Sequence, residues 1–134
     1  MKNALKFLGV WLLFLVAVIF TQVLVAHFIV ATCRIQGDSM LPTYHNGDVV
    51  LSESFLLKVR DPRKGEVVVF RDRDGYIVIK RIALVPGEWD DISPSTPRFL
   101  GENEYVVLGD NAEVSLDSRY YGTIVKEQML GIVK

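Results

Sequence analysis

The residues able to do chemistry are a few hydroxyls, one thiol, two histidines and one lysine in unusual company. His27 falls at the end of an apolar run and His45 sits in a turn beside Asn46-Gly47, so neither is well placed to serve a serine as general base. Lone Cys33 has no second cysteine and no good histidine partner, and reads as an unreactive thiol. No grouping of His, Cys and carboxylates has metal-ligand spacing. One other pairing activates a hydroxyl at neutral pH: a serine beside a lysine that has lost its proton. A free lysine has a pKa of about 10.4, so it needs burial or a nearby cation to act as a base. Lys80 follows the apolar run Tyr76-Ile77-Val78-Ile79, and Arg81 comes next. A strand that apolar can desolvate the amine, and the Arg81 charge pushes in the same direction. Ser39 sits in Gly37-Asp38-Ser39-Met40-Leu41-Pro42-Thr43, where a glycine two before it and a proline three after it make a bend that exposes the hydroxyl. Taken singly, each segment has an ordinary reading: a turn, and a solvated lysine at a strand edge.

Together they resemble the type I signal peptidases. The Ser39 heptapeptide resembles that family's nucleophile box, and Gly47-Asp48-Val49-Val50 resembles the next. Lys80-Arg81-Ile82-Ala83-Leu84-Val85-Pro86-Gly87-Glu88 resembles the general-base box. Gly109-Asp110-Asn111, Ser115, Asp117-Ser118-Arg119 and Gly122 resemble the last. The resemblance implies a membrane-anchored serine endopeptidase on a mostly antiparallel β fold, with no cofactor and no metal. Its substrates would be secreted preproteins, cut after a small-x-small site at the end of the signal peptide. Ser39 would be the nucleophile and Lys80 the general base. Ser115 matches the serine whose hydroxyl orients the lysine amine, and Asp117 with Arg119 matches a supporting ion pair. The Ser39 N–H would hold the oxyanion. Gly37 stands where some members add a serine hydroxyl, and Gly37, Asp38 and Met40 are the candidates for the oxyanion and substrate pocket. Ile35, Leu41 and Val78 are further candidate pocket walls. Lysine rather than histidine at the base position resembles the bacterial and mitochondrial types.

Two departures stand out. Leu84 occupies a position where the family usually has glycine, and the stretch from Pro86 to Gly109 is short, so the accessory β-subdomain should shrink to little more than a loop. That shortness leaves room for a dedicated Ser/Lys processing peptidase with one partner, of conjugation or pilus type. A catalytically silent membrane-anchored assembly module is the other alternative. Intact Ser39, Lys80 and Ser115 argue against it.

The elements that position these residues follow from an uneven composition. The 134-residue chain is 50% hydrophobic with a net charge of -1, but residues 1–35 hold 26 of its 67 hydrophobic residues. After Lys2 and Lys6, the 20 residues Phe7 to Ala26 carry no charge, enough helix to cover a hydrocarbon core of roughly 30 Å. An uncleaved anchor is the preferred reading. The run is long for a cleaved signal, Leu24-Val25-Ala26 is a poor cleavage site, and Thr32 before Cys33 does not suit a lipoprotein signal. Lys2 and Lys6 ahead of the helix, against Arg34 after it, put the N-terminus in the cytoplasm and make a single-pass protein of the cell membrane. The expected division is an anchor over 1–30 and an extracytoplasmic β-rich peptidase domain over 31–134.

Within that domain the expected strands are Phe28–Gln36, Asp48–Ser52, Glu66–Arg71, Tyr76–Val85 and Tyr105–Leu108, with Thr123–Val133 as a strand or short helix. Arg73-Asp74-Gly75 predicts a hairpin and Ser93–Pro97 a surface excursion. The result should be a small antiparallel, barrel-like β-sheet. Phe28, Leu41, Phe55 and Trp89 could seat the domain on the lipid bilayer, although the core is the favoured place for each. With 12 basic and 16 acidic side chains over residues 36–134, binding to nucleic acid through charge is disfavoured, and a disulfide scaffold needs more than the single Cys33.

Overall fold

The computed structural model describes residues 2–134, with side chains described for 6–23 and 31–134. His27, Phe28 and the Leu24-Val25-Ala26 side chains therefore lie outside the described residues. The chain forms two compact units, Met1–Val30 and Ala31–Lys134.

The first unit is one helix, α1, Lys2–Ile29. Its stretch Lys6–Val23 is apolar and long enough to cross a membrane. Thr21 needs no outside partner, because its hydroxyl donates to the Ala17 carbonyl one turn back at 2.8 Å.

The second unit is built on β1 (Val30–Arg34), β2 (Val49–Glu53), β3 (Val67–Arg71), β4 (Ile77–Leu84), β7 (Glu104–Leu108), β8 (Ile124–Val125) and β9 (Met129–Val133). These form one sheet in the order β1-β2-β9-β3-β4-β7-β8. The β2–β9, β9–β3, β3–β4, β4–β7 and β7–β8 pairs are antiparallel. The expected mostly β, antiparallel fold is present as this seven-stranded sheet. Between β4 and β7 lies a separate hairpin of β5 (Trp89–Asp90) and β6 (Arg98–Phe99). Three short helical turns complete the unit: α2 (Ser54–Val59), α3 (Ser118–Tyr121) and a 3-10 turn, Lys126–Gln128.

Two apolar clusters line this sheet, and β3 explains why its sequence does not alternate. Val67 and Val69 belong to a cluster with Ile35, Met40, Val50, Ile79 and Val133. Val68 and Phe70 belong to another, with Ile82, Tyr105, Val107, Ile124, Met129 and Ile132. Successive side chains point to opposite faces, so a strand covered on both must be apolar throughout. Its partner β4 buries Ile79, Lys80 and Ile82 in one stretch, with Arg81 half-buried between them, so the lysine is the polar exception in a covered strand.

The β3–β4 hairpin forms as expected. The Asp72 carboxylate accepts the N–H groups of Asp74 (3.0 Å) and Tyr76 (2.8 Å), and Gly75 takes φ +90. Other expectations change. Helix α2 was not foreseen; its Leu56 and Leu57 pack against the Phe70 cluster. Thr123–Val133 is neither strand nor helix throughout but β8, the 3-10 turn and β9. Between Ile82 and Leu84 the β4–β7 register shifts by a bulge or irregularity, so the strand stays paired through the Leu84 position. The accessory region is a two-stranded hairpin rather than a bare loop. Trp89 and Phe55 are about half exposed, at 50% and 51%, so the core reading fails for both, and Leu41 is half-buried.

Candidate active site

The Ser39 turn hangs from the end of β1. Ile35 donates its N–H to Asp48 O and accepts from Gly47 N–H, both at 2.8 Å, which ties the turn to the start of β2. Gly37 then takes φ +83, a left-handed conformation that L side chains rarely adopt, and the chain reverses towards Ser39. Met40, fully buried, pins the far side of the turn in the Ile35 cluster. Ser39 is left half-buried, between the core and the surface.

Lys80 stands opposite Val68 in the β3–β4 register, so the two side chains share one face of the sheet. It is 3% exposed. Its Nζ lies 2.9 Å from Ser39 Oγ and 3.1 Å from the Ile79 carbonyl oxygen. Burial pushes the amine below the ordinary lysine range, against a smaller upward pull from Asp117. With the amine neutral, the Ser39 O–H can donate to Nζ. That arrangement can turn a hydroxyl into a nucleophile.

A second layer fixes the two partners. Asp117 is fully buried and accepts the Gly109 N–H at 2.9 Å, Arg119 Nε at 2.9 Å and Arg119 Nη2 at 2.8 Å. Burial would raise the Asp117 carboxyl, but the bonds from Arg119 and Gly109 outweigh it and hold the pKa at about 2. Gly109 is itself a close-approach glycine. A Cβ there would come within 2.1 Å of Ser115 Oγ and 2.5 Å of Ser39 O. Asn111 donates its backbone N–H to Ser39 O (3.0 Å) and its side-chain amide to Asp38 O (3.1 Å). Asp110 takes Arg81 in two parallel bonds of 2.8 and 2.7 Å and also accepts the Thr43 hydroxyl. The bond from Arg81, and then that from Thr43, holds the Asp110 carboxyl below its usual range.

Two clefts open on the pair. One, of about 700 Å³, runs past Ile35, Gln36, Ile77, Val78 and Ile79. The other, of about 580 Å³, lies towards the Ser118–Tyr121 turn, and Ser39, Val78 and Lys80 line both.

The sequence model of the family described as signal peptidase, peptidase S26, matches residues 8–93 and 88–134. The chain belongs to this family. Probable signal peptidase I-2 of Synechocystis sp. is 31% identical over 133 residues, covering 78% of this chain and 61% of the relative. This chain thus spans less than two thirds of that relative's length. Signal peptidase IB of Staphylococcus aureus is 27% identical over an alignment of 163 positions, covering 92% of this chain and 85% of the relative.

Against the signal-peptidase boxes, the structure brings Ser39 and Lys80 together and pairs Asp117 with Arg119. Ser115 is buried beside them, but its Oγ makes no hydrogen bond, and the bonds from Lys80 Nζ go to Ser39 and Ile79 instead. Ile35 and Val78 line the first cleft. Gly37, Asp38, Met40 and Leu41 line neither cleft: Met40 is core, and Gly37 and Asp38 shape the turn through Asn46 and Asn111. Arg81 does not assist Lys80. Its charge faces Asp110, and burial accounts for the lysine's shift. Sequence reasoning gave no role to Asp110, Asn111 and Ser118, whose fully buried hydroxyl accepts the Val107 N–H at 2.9 Å. Their signal was the short polar run in otherwise apolar surroundings.

Proposed function

We propose that this chain is a serine endopeptidase of the cell membrane that removes signal peptides from secreted preproteins after a small-x-small site. The observation that carries this reading is the 2.9 Å separation of Ser39 Oγ and Lys80 Nζ on an amine that is 3% exposed. Ser39 Oγ attacks the scissile carbonyl carbon as neutral Nζ takes its proton. The oxyanion rests on the Ser39 N–H. Collapse breaks the C–N bond, Nζ returns the proton to the leaving amine, and the signal peptide remains as an ester on Ser39. Water then gives a proton to Nζ, attacks the ester, and the acid leaves as Oγ regains its proton. Ser115 orients the amine during these transfers, and its otherwise unpartnered hydroxyl is a ready acceptor for the charged form. The Asp117–Arg119 pair supports the wall behind them.

The first cleft suits the signal-peptide side of the cut. β4 pairs with β7 only from Arg81 onward, which leaves the backbone of Ile77–Ile79 free on that side to add an extended peptide. Shallow apolar walls at Ile35, Val78 and Ile79 favour small side chains. The Lys6–Val23 stretch anchors the chain, N-terminus inside by its basic flank, and Ser39 follows Ala26 by only 13 residues. The reduced β5–β6 hairpin favours a second reading, a peptidase dedicated to one partner.

Ser39→Ala and Lys80→Ala should each abolish cleavage of a labelled preprotein in detergent while circular dichroism stays native. Retained cleavage in either variant sinks the dyad. A panel of unrelated signal peptides decides breadth: cleavage of only one would leave the dedicated reading standing.

A further inference from the structure

The catalytic pair stands between two clefts, and the reading above uses only one. The second begins at Ser39 and Lys80 and continues past Val114, Leu116, Tyr120 and Tyr121. Three of these are apolar or aromatic side chains held out in water: Val114 is 61% exposed, Leu116 66% and Tyr120 64%. They fall within one short segment around the buried Ser115–Asp117–Ser118 run, so the burial of those small polar residues is what turns the large ones outward. Tyr121 adds a donor. Its Oη is shut off from water without a hydrogen-bond partner, and burial pushes its pKa far up, so it stays protonated. A buried hydroxyl with no acceptor costs stability unless something else supplies one.

Continuity with the nucleophile identifies the occupant. A peptide bond held at Ser39 Oγ has chain on both sides, and the first cleft holds only one of them. The first cleft carries the free strand backbone of Ile77–Ile79, which suits the acyl half; the other half must leave past Lys80, whose Nζ hands a proton to the departing amine. We propose that the second cleft binds the leaving side of the substrate, the first residues of the released mature chain, and that Leu116 and Tyr120 select an apolar side chain there. This rests on the peptidase reading above.

The test uses the full-length chain in detergent micelles. Peptides share one Ala-x-Ala sequence before the cut and differ only in the next residue: Leu, Gly or Asp. Wild type should favour Leu over Gly about tenfold in kcat/KM, within the range that an apolar side chain contributes in a pocket. Leu116→Ser and Tyr120→Ser should shrink that ratio to near one, with thermal melting monitored to confirm folding. A second readout probes the same cleft from the attacking side, after acylation. Leucinamide and glycinamide are added as competing nucleophiles, so that an amine replaces water, forms the amide, and releases Ser39 Oγ. Wild type should form more leucinamide product, and Leu116→Ser should lose that preference. Cleavage that ignores the downstream residue overturns the proposal and leaves the peptidase reading intact. So does a leucine preference unmoved in both variants. If phospholipid vesicles erase the preference in wild type, lipid holds the cleft and the proposal fails. No cleavage of any peptide removes the peptidase reading and this inference with it.

Discussion

A lysine becomes a base only where folding makes its charge costly, and position 80 meets that condition through burial alone. The sign of the stability effect follows. The folded pKa lies below the unfolded value of about 10.4. Below the folded pKa the native state must hold a buried ammonium, and the full penalty applies. As pH climbs from the folded towards the unfolded pKa the native state binds fewer protons than the unfolded chain, so stability rises. Lys80→Met, similar in shape and uncharged, should therefore melt at a higher temperature than wild type at pH 7. The gap should narrow as pH approaches 10, while activity is absent throughout. Wild-type kcat/KM should rise with pH on a limb whose midpoint lies below 10.4. A lower melting temperature for Lys80→Met at pH 7, or a limb at the ordinary lysine value, would contradict a desolvated base. Both members of the pair were legible from the sequence, because a lysine after four apolar residues and a serine in a Gly-Pro bend are odd as residue types. What Arg81 and Ser115 do was less legible, since their partners come from elsewhere in the chain.

At the scale of elements, the site is held by a clamp joining three segments. Strand β4 sends Lys80 and Arg81 to opposite faces, as a period of two requires. Lys80 meets Ser39; Arg81 meets Asp110, which also takes Thr43 from the Ser39 turn. Asn111, next to Asp110, bonds the backbone of Asp38 and Ser39. The charge counted in sequence as a neighbour of the lysine is therefore a strut on the other side of the sheet, and adjacency along a strand was misleading for that reason. Strands β2, β3, β4 and β7 were readable because each carries adjacent Val or Ile residues between turn signals. Helix α2 was not, because six residues give too short a pattern to show a period. Asp110→Asn keeps the shape but removes the charge from a half-buried, two-bond pair. It should cost about 1–3 kcal/mol of stability, in the usual range for a charge-assisted bond of this kind. Loss of positioning should lower kcat about tenfold or more while KM changes less. An unchanged kcat in a variant with a lowered melting temperature would reduce the clamp to a stability feature.

At the scale of the molecule, the composition split near residue 35 corresponds to a division of labour. Both apolar clusters and the whole site lie within Ala31–Lys134. That unit should fold without the helix, although exposed Val49, Leu51 and Phe55 would leave it prone to association. Under the function proposed above, the helix would act on encounter rather than on chemistry. A signal peptide and an anchored peptidase share one membrane plane, and confinement raises their effective concentration by a factor that linked systems place at about 10² to 10⁴. Expressed alone, residues 31–134 should keep their sheet by circular dichroism and should hydrolyse a short soluble peptide with kcat/KM within about threefold of the full chain. Processing of a preprotein inserted in vesicles should fall by about 10² or more. An unrelated transmembrane helix of similar length, fused in place of residues 1–30, should restore most of that loss, because tethering asks for span and orientation rather than for particular side chains. Equal vesicle processing with and without a helix would show that encounter is not limiting. Failure of the substitute helix to rescue would mean that α1 contributes contacts of its own to substrate, and the search for specificity would then extend beyond the two clefts at Ser39.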